Sequence, residues 1–231
     1  MFSKTANAWM VEAALLLPPP RPAATDSNAT AAISVAKRSS PKPWVLPEQG
    51  LTVYYGCPEM PRLSHYFLPR VLLDEKCVLY FDGANQISPH LIARFAKERG
   101  LEPSVFNELI LVSRAFTCFQ LTGLIERAPE YLRRFQANVL IVTALPDIHF
   151  DEDVQELEAR ASFKHALEGL RTLAPLPIPI TVFSDATSFK TRRMDFFRFL
   201  CKQADQVVKV ETHPDNELSF TCEKTARLLS Q

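Results

Sequence analysis

Glycine is scarce in this 231-residue chain: there are six, against 18 prolines and 16 phenylalanines. A protein that cradles phosphate on flexible glycine loops usually carries more. Net charge is also lacking, because 26 basic residues balance 26 acidic ones. No global field therefore calls for nucleic acid or a membrane surface, and only a local basic patch could serve either. The five cysteines (Cys57, Cys77, Cys118, Cys201 and Cys222) are odd in number and contain no CxxC pair. That argues against a zinc site or a disulfide framework and for buried thiols in a reducing compartment. No stretch approaches the ~20 apolar residues of a membrane span. The N-terminal apolar stretch is interrupted by Glu12 and ended by Pro18–Pro20, so it does not read as a signal peptide. The expectation is a soluble cytoplasmic protein with no metal and no cofactor.

What is present is hydrophobic material, 47% of the chain, enough for one good-sized domain with a tail. Residues 5–17 have apolar side chains near helical spacing (Trp9, Met10, Ala13, Leu16, Leu17) and fit a short helix or a frayed tail equally. Residues 18–47 are rich in Pro, Ala, Ser and Thr, lack glycine, and read as a linker. The domain boundaries expected are thus a flexible tail over 1–47 and a folded domain over 48–231.

Within 48–231, apolar strand-like runs alternate with amphipathic segments. Strands are expected at 51–55, 77–83, 109–115, 138–145 and 178–185, and a hairpin from 206–211 and 217–223. Helices are expected at 62–75 with a bend at Pro69, 88–100, 117–135 with a break at Pro129, 151–174 and 192–204. Ser88 as N-cap, Pro89 in the first turn and Gly100 at the end delimit the second of these. The alternation implies an α/β domain with a mostly parallel sheet. Ligands of such sheets sit beyond the carboxyl ends of the strands. That places any chemistry near 56–63, 82–86, 143–147 and 184–193.

One of those places, VYYGCPEMPRLSHYF (Val53–Phe67), has the outline of a phosphate-binding loop: an apolar strand, a glycine, turn formers and then a helix. Further on, VLYFDGANQISPHLIARFAKERGLEPSVFNELILVSRAF (78–116) resembles the second strand, helix and third strand of the RecA/RadA recombinase core. ELEARASFKHALEGLRTLA (156–174) is similar to the helix after that family's Walker B strand, and ITVFSDA (180–186) to its terminal strand. The resemblance runs over roughly residues 50–223 and rests on the order and spacing of the pieces. It implies a three-layer RecA-like domain with a mostly parallel central sheet and a C-terminal β-hairpin.

The family's chemistry departs from this chain position by position. A phosphate-binding loop needs G-x-x-x-x-G-K-[ST], and the run from Gly56 reads G-C-P-E-M-P-R-L. Gly56 is kept, Pro61 replaces the second glycine and loses its N–H, Arg62 stands for the lysine, and Leu63 for the hydroxyl that binds magnesium. Ala84 occupies the position of the water-orienting acid, Thr143 and Ala144 that of the Walker B Asp-Ser pair, and Ser184-Asp185 that of the terminal Asn-Gln. Phosphoryl transfer needs a clamp, a metal and an aligned water. The resemblance therefore implies a pseudo-ATPase with no catalytic residue, Gly56 and Arg62 marking the degenerate loop.

The family's DNA-contacting loops correspond to 146–160 and 186–197. The first is acidic, which opposes phosphate binding. The second carries Phe189, Lys190, Arg192 and Arg193, a small basic-aromatic cluster able to touch a single strand weakly. ISVA (33–36) has the aromatic-x-x-alanine spacing of the family's subunit-joining segment, with isoleucine for the aromatic. The leading expectation is a non-catalytic accessory protein of DNA recombination or repair. It would bind a recombinase or other repair protein, or its own copies, with no role for a membrane. A divergent ATPase using Arg62 and Asp82, and an interaction module unrelated to DNA, are the alternatives.

Overall fold

A computed structural model describes residues 45–213 and 218–225. The segments expected at 5–17 and over most of 18–47, with the ISVA stretch, lie outside the described residues. Seven strands form one sheet: β1 (Gly50–Tyr55), β2 (Val78–Asp82), β3 (Ile110–Arg114), β4 (Val139–Thr143), β5 (Pro179–Ser184), β6 (Gln206–Thr212) and β7 (Leu218–Thr225). Their order across the sheet is β3-β2-β4-β5-β1-β6-β7. All neighbours pair parallel except β6 and β7, which are antiparallel with an irregularity between Val207 and Val208. The expected α/β class, mostly parallel sheet and C-terminal hairpin are all present.

The inner strands are buried on both sides, which is why they read as continuous apolar runs. Alternate residues nevertheless go to opposite faces. Val53, Leu79, Phe81, Leu140, Val142, Ile180 and Val182 join one core. Tyr54, Val78, Tyr80, Val139, Ile141 and Phe183 join the other. The first core is covered by α5 (Cys118–Glu126), α6 (Ala128–Phe135), α7 (Glu156–Leu173) and α8 (Met194–Gln203). Phe163 of α7 and Phe196 of α8 stack there with ring centroids 4.7 Å apart. The second core is covered by α1 (Met60–Leu63), α2 (Leu68–Leu73), α3 (Pro89–Lys97) and α4 (Pro103–Glu108). Tyr54, Phe67 and Phe183 form its aromatic centre, with centroids 4.9–5.3 Å apart.

Several expected helices are shorter or broken. The segment 62–75 is α1, a 3-10 turn (Ser64–Phe67) and α2, because Pro61 and Pro69 each sit in a first turn and cannot donate to a preceding one. The 117–135 helix divides at Arg127, just ahead of Pro129. The long helix begins at Glu156 rather than 151, since Asp151 Oδ1 accepts from Asp153 N at 3.0 Å and holds the acidic run in a turn. The six-residue α4 was not expected.

The crossovers set the position of a site. After β1 the chain goes to the α1–α4 face, and after the adjacent β5 it goes to the α5–α8 face; β2 and β4 divide in the same way. Crevices at such divisions, beyond the carboxyl ends of β1/β5 and β2/β4, are where ligands of this architecture bind.

Candidate functional site

At the end of β1, Gly56 has φ +124°, and a Cβ there would collide with the carbonyl of Val210 in β6. The close approach of β6 is thus sufficient to require this glycine. Cys57 is buried and burial pushes its thiol up to about 11, so it is a packed thiol and no nucleophile. Met60, Pro61 and Leu63 point into the core, while Glu59 and Arg62 are exposed. Met60 N donates to Cys57 O at 3.1 Å and Leu63 N to Glu59 O at 2.9 Å.

Side chains that no sequence motif marks stitch the turn to the body. Ser64 Oγ lies 2.5 Å from Pro61 O and 2.6 Å from the hydroxyl of Tyr80 in β2. His65 is buried between Arg62 O, 2.7 Å from its Nδ1, and the Ser88 N–H, 2.9 Å from its Nε2. A carbonyl can only accept and an N–H can only donate. The imidazole is therefore neutral with its proton on Nδ1, and burial lowers its pKa.

At the end of β2, Asp82 is fully buried and fully engaged. Its Oδ1 accepts from Gln86 N at 3.0 Å and Thr143 Oγ1 at 3.3 Å, and its Oδ2 from Ile87 N at 3.0 Å. Arg114 of β3 lies 3.7 Å away with its Nε. The carboxylate closes the 82–87 turn that leads into α3. Thr143, at the Walker B position of the resemblance, also accepts from Ala84 N at 3.3 Å. The hydroxyl and carboxylate here hold backbone to backbone.

Between β4 and β5 lies a pair of carboxyls that sequence reasoning missed. Asp147 is buried, accepting from Ser184 Oγ at 2.6 Å and from Asp185 N at 2.9 Å. Burial first, and then the Asp185 carboxyl beside it, hold its pKa well above the usual carboxylate range. Its partners are 37 and 38 residues away, so no local spacing marks the pair. With Glu59 exposed after β1, the carboxyl ends of β1, β4 and β5 all carry acids.

Of the four basic-loop residues, Phe189, Lys190 and Arg192 are exposed, Phe189 packing edge-on against Phe150 at 5.7 Å. Arg193 departs from the expectation: it is only 8% exposed and turns inward. Its guanidinium donates to the carbonyls of His149 (2.9 Å), Asp151 (2.7 Å) and Val154 (2.5 Å) and to Glu156 Oε2 (2.8 Å). It fastens the acidic loop to the start of α8, and the outward-facing cluster contains only two cations. The same loop buries His149, with Nε2 3.4 Å from both Thr122 Oγ1 and Ser162 Oγ. Burial, with the Arg193 charge adding to it, pushes this imidazole down to about 4.

Among the described residues no three His, Cys, Asp or Glu side chains gather as a metal site. The five cysteines are all free. No helix among the described residues is long and apolar enough to cross a membrane. No protein-family model matches the chain, and no curated protein matches it either.

Proposed function

We propose that this chain is a non-catalytic, recombinase-type core that works by binding another protein. The observation that carries this reading is the fate of the positions where the resemblance requires phosphate or metal chemistry. Leu63 is packed in the core, Asp82 and Thr143 are consumed by backbone hydrogen bonds, and the nearby titratable pair is acidic. A phosphate clamp needs free donors and positive charge, and a hydrolytic centre needs a carboxylate free to reach metal or water. Arg62 is exposed where a cation is wanted, but Arg114 at the end of β3 is turned to Asp82.

Support for a protein partner comes from β3. It pairs with β2 on one side only, and its outer residues Val112 and Arg114 are half-exposed. Beside it runs a groove of about 410 Å³ whose lining is apolar except for Asn107 and Arg114, with Ile87, Ile92, Ile110 and Val112 among its residues. An unpaired strand edge next to an apolar groove suits the addition of an extended segment from a recombinase, another repair protein or a second copy. Contact with single-stranded DNA would be weak, through Phe189, Lys190 and Arg192. A cytoplasmic location, in keeping with five free thiols, belongs to the same reading. Equilibrium binding of labelled ATP and of a labelled single-stranded oligonucleotide tests it. Neither should bind tightly, and magnesium-dependent saturation by ATP would sink it.

A further inference from the structure

Gly123, in the middle of α5, has no conformational or packing reason of its own. Five of the six glycines are accounted for by a positive φ or by a neighbour that a Cβ would strike; a Cβ on Gly123 would meet nothing within 4 Å. By contrast Gly169 of α7 is explained by Ile125, whose Cγ2 would lie 2.9 Å from its Cβ. A glycine in a helix interior destabilises it relative to alanine. Gly123 forms part of a groove of about 330 Å³ between α5 and α7, with Phe119, Glu126, Glu158, Ala161 and His165 along it. Phe119 is 50% exposed, and Leu157, one turn before Ala161 on α7, is 80% exposed. The groove opens on the face of the sheet opposite the α3–α4 groove beside β3.

We propose that this groove receives an amphipathic helix of another protein, its apolar ridge seated on Gly123 and Phe119 and its lysines or arginines set against Glu126 and Glu158. A furrow between two packed helices accepts the side-chain ridge of a third, and a missing side chain lets the visitor's backbone come close. Charge selects the visitor. Glu126 is met only by His165, 3.2 Å away, and Glu158 has no ion-pair partner among the described residues, while Arg127 is turned back along α5, its Nε donating to the Gly123 carbonyl at 3.0 Å. Carboxylates flanking an apolar floor attract a cationic rim and repel nucleic acid. They also disfavour a two-fold contact with a second copy, which would bring Glu126 and Glu158 against acids of the same patch.

The test is titration of the isotope-labelled full chain with two synthetic helical peptides, followed by amide chemical shifts. One peptide carries a leucine-alanine ridge flanked by lysines, and the other has glutamates at the same positions. The lysine peptide should shift amides over 119–126 and 157–165 saturably, and the glutamate peptide should bind at least about tenfold more weakly. Gly123→Leu should abolish the shifts with the rest of the spectrum retained. Gly123→Ala, which fills little space, should raise the melting temperature and confirm that the fold does not need the glycine. Equal binding of both peptides, shifts centred elsewhere, or no shifts would overturn the proposal. So would a concentration-dependent dimer that Gly123→Leu dissolves, because the occupant would then be a second copy. A Val112 variant in the β3 groove should leave the peptide titration unchanged, so failure at one surface is distinguishable from failure at the other.

Discussion

Replacing Arg193 by alanine takes the guanidinium from three backbone carbonyls, those of His149, Asp151 and Val154, and from Glu156. Buried acceptors without donors cost about 1–3 kcal/mol each before relaxation and water entry. The expected loss is roughly 2–4 kcal/mol, seen as a lower urea midpoint, whereas Lys190→Ala and Arg192→Ala should stay within about 0.5 kcal/mol. Equal effects from all three would contradict the inward placement of Arg193. His149 supplies a pH dependence. Above its ordinary pKa of 6.5 the imidazole is neutral in both the folded and the unfolded chain. Between 6.5 and about 4 only the unfolded chain takes the proton, so stability falls as pH falls, by up to about 3 kcal/mol. His65, also lowered, acts in the same direction. Asp147 acts oppositely: its raised pKa is a cost at neutral pH that is relieved as pH falls from that raised value towards the ordinary 3.8, so it offsets the histidines over the same range. Urea midpoints of the wild type should therefore fall relative to those of His149→Gln between pH 7 and about 4.5, even if the variant is lower at every pH. Parallel profiles for the two proteins would show that His149 is not held neutral by the fold.

At the scale of elements, β7 joins the sheet through β6 alone and is tied by one side chain to the helix before it. Lys224 Nζ donates to the carbonyls of Cys201, Lys202 and Ala204, closing the C-terminus of α8. Lys224→Ala should speed amide exchange in β7 and the last turn of α8 while leaving β1 and β5 protected. Uniformly faster exchange would mean that the hairpin is not a separable unit. The strands were readable from sequence because burial on both faces leaves an unbroken apolar run, as in VLIVT of β4. α3 was readable because Ser88 does accept from Leu91 N, at 3.3 Å. α4 escaped because it is six residues long, with no side-chain cap and a single buried residue, Phe106. The Asp147–Ser184–Asp185 contacts and the inward turn of Arg193 escaped for another reason: they join segments 37 to 44 residues apart, and only the parallel pairing of β4 with β5 brings those loops together.

For the molecule as a whole, a seven-stranded, mostly parallel α/β sheet has carboxyl ends furnished with acids and self-satisfied turns. The surfaces we propose to take partners are the β3 edge with its groove and the acidic α5–α7 groove. If the β3 edge takes an extended partner segment, Val112→Lys should abolish any self-association seen by light scattering, since it puts a charge on the strand's outer row. An unchanged mass in a protein that does associate would exclude that edge. The central claim, that the fold is kept without the motor, is met most directly by the steady-state rate of magnesium-dependent ATP hydrolysis, read as phosphate release from the purified full chain. The account predicts no rate above the enzyme-free background, and no change in Arg62→Ala. A magnesium-dependent rate that Arg62→Ala removes would contradict it.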